Sequence, residues 1–392
     1  MAVGHSDDID PDAAVDEVVR QCESALDGAT PRAGLLFCSY ESDAEPYLRA
    51  VRAAYPDIEL AGSTSSAEMS SVLGFQEDSV ALALFASDSV DMTAGCATGV
   101  EESPAAAARS AVEDAKRKTE QEPRLCIAVP SVSGDDPTVL LRELQAALGD
   151  EVPVIGGGSA PRTGAGQPRV ARQFCGDRVL EDAAAVLLFS GPLTFSFGVD
   201  TGWRPLGSRG RVTAAHGNVV LEIDGEPALA FYQRYLGEGG TPTAANPLAV
   251  YEGPEDAYYL RVPFASDVER GAVILTGGIP HDAEVQLTVA VTDEIFAGAQ
   301  RAVRTAFDAF PQGSPPDAAL VFSCAIRKLV LGTRTGTELD IMRAELGDGV
   351  PVAGFYCFGE IAPIEGGRTR FHNETFVALL LGETRAPQAL PA

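Results

Sequence analysis

Three stretches of this chain run through the same succession of elements, and any fold must accommodate that order. A helix leads to a continuous apolar strand. A second helix follows, then a short strand that ends in small residues, then a loop and a further apolar strand. The first strands read L-L-F-C-S-Y (35–40), C-I-A-V-P-S (126–131) and L-V-F-S-C-A (320–325). The second strands read I-E-L-A-G-S (58–63), V-P-V-I-G-G (152–157) and V-P-V-A-G-F (350–355), and the later ones S-V-A-L-A-L-F (79–85), A-A-V-L-L-F-S (184–190) and F-V-A-L-L-L-G (376–382). Helical spacing precedes and separates them at 11–27 and 44–54, 104–116 and 138–148, and 294–310 and 338–346. Units this long are not solenoid repeats. They predict an α/β (mixed α+β) protein of two domains, built from three pseudo-repeated α-β-α-β-loop-β modules whose mixed sheets are flanked by helices.

The predicted organisation starts with a disordered tail over 1–10, which is short and polar. A first domain over 11–237 holds two copies, 11–98 and 102–201, and a hairpin and helix at 211–237 with turns at His216-Gly217-Asn218 and Asp224-Gly225. The soft segment 238–246 reads as a linker. The second domain, 247–385, adds strands before the third copy at 293–382, and 386–392 is a Pro/Ala tail.

Each second strand ends in glycine or small residues and opens a loop: 62–71, 156–162 and 354–366. Strand carboxyl ends are where open α/β sheets hold ligands, and small residues there allow close approach. The third loop is the most elaborate. From Val352 to Thr375 it presents Tyr356, Cys357, Glu360, Arg370, His372, Asn373 and Thr375. Ser323-Cys324-x-x-Arg327 ends the neighbouring strand, so Arg327 should lie beside this loop and offer a planar donor for a carboxylate. Glu360 could answer an ammonium, Asn373 could bond either group, and Tyr356 could form a wall. Two other readings stand beside a ligand site. Arg327 and Glu360 could be a buried structural ion pair, or His372 with Cys324 or Cys357 could be a nucleophilic pair.

Other chemistry finds little support. No Walker loop, G-x-S-x-G elbow, H-E-x-x-H or EF-hand spacing occurs, and G-G-G-S-A-P at 156–161 is a poor phosphate loop. The four histidines lack ligand spacing, so no metal and no cofactor are expected. Asp135-Asp136 reads as a helix cap, and Trp203 as a packing anchor. A formal charge of −27 with three lysines disfavours nucleic acid and anionic membranes as partners, and suits an acidic, halophile-like protein kept soluble at high salt. Seven scattered cysteines imply no disulfide framework and a reducing cytoplasm. No apolar run is long enough to span a membrane.

Five motifs in order resemble the FIST family, the paired FIST N and FIST C sensory domains. They are A-G-S-T-S-S-A-E (61–68), G-W-R-P-L-G with V-T and I-D-G-E-P-A-L-A-F-Y (202–232), S-C-A-I-R (323–327), G-F-Y-C-F-G-E-I (354–361) and F-H-N-E-T-F (371–376). The resemblance spans about residues 33–384. It implies a module that senses small molecules such as amino acids or their derivatives, with no established catalytic residues. An output region usually accompanies such domains and none follows here, so a signalling partner protein is expected. The predicted ligand-binding residues are Arg327, Tyr356, Glu360, His372, Asn373 and Cys324. The competing functions are a Cys/His-dependent enzyme acting on a small metabolite and a protein-interaction scaffold.

Overall fold

A computed structural model describes residues 1–132, 136–159, 170–251, 257–311, 315–364 and 368–384. Asp135, residues 160–162 and 365–367 of the predicted loops, and the 386–392 tail lie outside the described residues. The chain is a mixed α/β structure with several mixed sheets flanked by helices.

Three six-stranded sheets share one strand order. In each, a parallel pair is the centre: 33–39 with 59–65, 123–128 with 154–157, and 318–324 with 352–357. An antiparallel strand lies beside the first member (80–85, 183–190, 376–383), followed by an edge strand (2–6, 91–98, 193–200). The other edge is completed by a hairpin from elsewhere in the chain. Strands 172–175 and 178–181 complete the first sheet, 360–363 and 369–372 the second, and 67–70 and 74–76 the third. The chain after each second strand thus supplies a hairpin to a neighbouring sheet; the first and third of these overlap the predicted loops 62–71 and 354–366, and the second, 172–181, lies beyond the predicted loop 156–162.

The inward faces of the three sheets meet in one apolar core that includes Leu35, Phe37, Leu125, Ile127, Leu320, Phe322 and Phe355. Phe355 stacks on Phe37 at 4.3 Å between ring centroids. Each outward face carries two helices: 11–26 and 44–54, 104–116 and 137–148, 292–309 and 337–346. The first helix shows why the sequence predicted them. Asp10 caps its Asp12 and Ala13 amides, Pro11 opens it, and Ala14, Val15, Val18 and Cys22 recur on the buried face. Asp136 likewise caps the helix from Pro137.

Glycine is required where the parallel strands run closest. A Cβ on Gly62, Gly156 or Gly354 would stand 1.9 Å from the carbonyl oxygen of Leu36, Ala128 or Val321, its register partner.

An additional eight-stranded sheet contains strands 204–216, 219–223, 226–227, 248–251, 258–261, 263–267, 272–275 and 284–289, and its Ala249, Tyr251 and Leu260 pack with Ile295, Phe296 and Leu331 of the helices 292–309 and 325–331. Strands from both sides of 238–246 lie in it, so that segment separates stretches of sequence within one sheet. The hairpin turn falls at Gly217-Asn218, and Asp224 and Gly225 take positive φ in the following turn. Trp203 is 1% exposed and packs with Ile295 and Leu331.

Two expectations are corrected. Residues 2–6 are not a disordered tail: Ala2–Ser6 is a buried edge strand paired to 80–84, with the His5 ring between Ser70 and Ser79. Its five residues are too few to show a period, and the polar flank hid them. The cysteines are not all free, since Cys96 and Cys175 form a disulfide between the second and first sheets. Their separation of 79 residues gave no spacing signal, and the fold alone brings them together.

Candidate functional site

The carboxyl ends of the strands collect the polar side chains, and they sort into two knots and one buried, unpartnered acid. The first knot closes on Glu338, in the helix Thr337–Leu346. Arg327, fully buried in the short helix 325–331, donates from Nε to Glu338 Oε1 at 2.8 Å. Its remaining donors reach backbone carbonyls of Thr201, Glu374 (3.2 Å) and Ile295 (3.0 Å). Ser323 Oγ and Tyr356 Oη donate to the other oxygen of Glu338 at 2.9 and 2.7 Å. Arg327 thus has a carboxylate partner, but it is Glu338 and not Glu360, and its fork is filled. The Tyr356 hydroxyl is likewise spent. Glu338 was invisible as a site residue because it sits at ordinary helical spacing.

The second knot closes on Glu360. Its Oε2 accepts from the Thr375 amide (3.0 Å) and hydroxyl (2.9 Å), and its Oε1 from Cys357 Sγ (3.4 Å). Glu68 and Gln173 occupy the same place in the other two lent hairpins, opposite Phe355 and Ser63 as Glu360 is opposite Gly157. Glu68 accepts from Ser65 and Ser79. Gln173 donates to Ser159 Oγ (2.7 Å) and accepts from the Ala183 amide (3.1 Å). Each side chain ties its hairpin back to the sheet that lends it, while the backbone ladder joins the hairpin to the host sheet. Burial drives both carboxyls up to about 7, against the pull of their hydroxyl donors. The neutral amide at Gln173 fits the same lock, in keeping with acids held near neutrality.

Cys324, Cys357 and His372 are brought near Glu360 without forming a nucleophile and base. Burial first, then the charge of Glu360, raises both thiols well above the usual range. His372 Nε2 lies 3.0 Å from the Ala362 carbonyl. A carbonyl only accepts, so Nε2 carries the proton. Burial lowers His372 to about 4, leaving it neutral. Asn373 Oδ1 accepts from Thr276 in the eight-stranded sheet at 2.8 Å, and Arg261 of that sheet donates to the Phe371 carbonyl at 2.9 Å.

Glu374 is the residue that sequence reasoning passed over. It occupies a left-handed turn position, φ 58°, as do Asp78 (φ 53°) and Asp182 (φ 46°) before the matching strands of the other sheets. Asp78 accepts from Ser39 at 2.9 Å, and Asp182 from the Glu101 amide at 3.0 Å. Glu374 is fully buried and neither of its carboxylate oxygens has a partner. Nearby, the Tyr232 hydroxyl and Trp203 Nε1 are buried and also unpartnered. The charge of Glu374 adds to burial in raising Tyr232, and the Arg327 guanidinium lies 5.8 Å from the Trp203 ring. Burial first, then Glu360, raises Glu374 well above the ordinary carboxyl range. Nothing in the spacing of F-H-N-E-T set Glu374 apart, and its positive φ is visible only in the structure.

Comparison with known proteins agrees with the motifs. The FIST N domain model matches residues 32–226 and the FIST C domain model residues 228–363. FIST domains are associated with sensing small ligands in signal transduction. The uncharacterized proteins MT0656 and Rv0628c of Mycobacterium tuberculosis (strains CDC 1551 / Oshkosh and ATCC 25618 / H37Rv) are each 31% identical over 177 residues. Each match covers 43% of this chain, which spans about half (46%) of the relative's length. The crystal structure of cyanuric acid hydrolase from A. caulinodans aligns over 98% of this chain and 99% of its own, at 8% identity and a TM-score of 0.38. Among the described residues, no helix is long and apolar enough to cross a membrane.

Proposed function

This chain belongs to the FIST family, and from that premise we propose that it senses an amino-acid-like small molecule whose amino group is received by Glu374. The observation that carries the reading is a buried carboxylate with two unpartnered oxygens beside an unpartnered tyrosine hydroxyl. Leaving a buried acceptor unmet costs about 1–3 kcal/mol, more for a charged group. An ammonium entering beside Glu374 would recover that cost and meet the Tyr232 hydroxyl as well. Glu360 and Cys324 interact electrostatically with Glu374, and His372 and Asn373 precede it in the chain. Arg327 and Tyr356 act from behind it, through Glu338, and Arg327 also holds the Glu374 carbonyl.

Occupancy would tie the third sheet to the eight-stranded sheet, because the 372–375 turn bonds Thr276 and the Tyr232 helix belongs to the same layer. A partner protein reading that junction would relay the signal. The enzyme alternative lacks an activated pair: His372 is committed to Ala362, and burial first, then Glu360, raises both thiols.

The test is thermal unfolding at high salt with a panel of amino acids and their α-keto acid counterparts. A true ligand at 100 times its Kd stabilises by about 2.7 kcal/mol. Amino acids should raise the transition, keto acids should not, and Glu374→Gln should abolish the response. Equal stabilisation by keto acids, or a full response in Glu374→Gln, refutes the assignment.

A further inference from the structure

The sulfurs of Cys96 and Cys175 lie far from the Glu374 site, at the seam between the second and first sheets. Their surroundings differ from those of the other cysteines. Cys22, Cys38, Cys126, Cys324 and Cys357 are free and buried, and burial raises each of them. Cys96 and Cys175 are buried as well, at 7% and 4% exposure, but Arg178 Nη2 stands 2.9 Å from Cys96 Sγ. A guanidinium at hydrogen-bond distance stabilises a thiolate, lowering the thiol's pKa and making it the better leaving group. The nearby carboxylate does not cancel it. Asp114 lies within 4.8 Å of both sulfurs, but its oxygens take the Cys96 amide (3.3 Å) and Arg117 (3.0 Å).

We propose that Cys96 and Cys175 form a thiol–disulfide exchange site whose co-substrate is a low-molecular-weight thiol and its disulfide. A thiolate RS⁻ attacks Cys175 Sγ, the Cys96–Cys175 bond breaks, and its electron pair leaves on Cys96 Sγ beside Arg178. The intermediate is a mixed disulfide between Cys175 and R. A second RS⁻ attacks the R sulfur, expelling the Cys175 thiolate, and the Cys175 and Cys96 thiolates take up from solvent the two protons that the two RSH released. The net change is protein disulfide plus two RSH to protein dithiol plus RSSR, and oxidation is the reverse. Opening the bond releases the hairpin 172–181 from strand 91–98, leaving it held by its ladder to 61–63 and by Gln173.

The full chain is equilibrated in glutathione buffers of graded composition containing EDTA, quenched with an alkylating reagent and analysed by mass. The pair should interconvert, and Arg178→Ala should shift the exchange constant about tenfold towards the disulfide, about 30 mV to more negative potential. Reduction should also slow, and Arg178→Lys should restore most of the rate. In a Cys175→Ala background, Cys96 should react with iodoacetamide at lower pH when Arg178 is present than when it is alanine. Identical midpoints and rates for wild type and Arg178→Ala overturn the proposal. So does a pair that stays oxidised in every buffer while the protein remains folded.

Discussion

Replacing Glu374 by leucine should make the unliganded protein more stable while destroying its response to ligand. The side chain is fully buried and both oxygens lack partners. An unmet buried group costs about 1–3 kcal/mol, and a well-packed apolar replacement of a buried charge is commonly neutral or stabilising. The left-handed backbone cost is present in both proteins, since neither residue is glycine, so it cancels. A gain of about 2 kcal/mol at pH 8 is expected, which raises the thermal transition by several degrees.

The pH dependence supplies a second, independent reading. Glu374 has a folded pKa raised above the 4.5 of the free side chain, by burial first and Glu360 second. Between 4.5 and the folded value the native state binds more protons than the unfolded one. The contribution of a raised acid is thus fully present below pH 4.5 and is lost as pH rises through the folded pKa. The advantage of Glu374→Leu should therefore be smallest near pH 4.5 and grow towards pH 8. Urea unfolding monitored by circular dichroism at both pH values measures it. A destabilised variant at pH 8, or a difference that does not change with pH, refutes the claim that the carboxylate is unmet.

Glu338→Ala should cost about 3–5 kcal/mol by urea unfolding, because it strands the fully buried Arg327 guanidinium and removes the acceptor of Ser323 and Tyr356. Glu360→Gln should be at least as stable as wild type at pH 8, since Gln173 already fills the matching lock. Its stability should also decline less between pH 4.5 and 8, because the native acid raised to about 7 is gone; an unchanged pH profile would contradict this.

The order of helices and strands was legible because buried parallel strands are continuous apolar runs and their helices carry caps and a 3.6 period. Gly62, Gly156 and Gly354 marked the ends of the right strands, but they were read as openings for a ligand, whereas a Cβ at each would meet the carbonyl of the paired strand. The destination of the loops was not legible. Residues 67–76, 172–181 and 360–372 are short and partly polar, and their hydrogen bonds run to strands distant in sequence. Site reading failed in the same manner. Arg327 was correctly placed at a strand's carboxyl end. Its partner came from a helix whose Glu338 looks like any surface acid, and the unmet acid proved to be Glu374, one position past the residues that drew attention.

The lending of hairpins fixes the timetable of assembly. The first sheet has all its strands once residue 181 has been synthesised. The second waits for 360–372, and the third needs 67–76 as well as the final strand 376–383. A nascent chain stopped at residue 237 would hold 154–157 with one side bare and 193–200 with no partner at all, apolar edges open to aggregation. Strand pairings thus cross between the segments matched by the two family models, and those of the third sheet close only when strand 376–383 emerges.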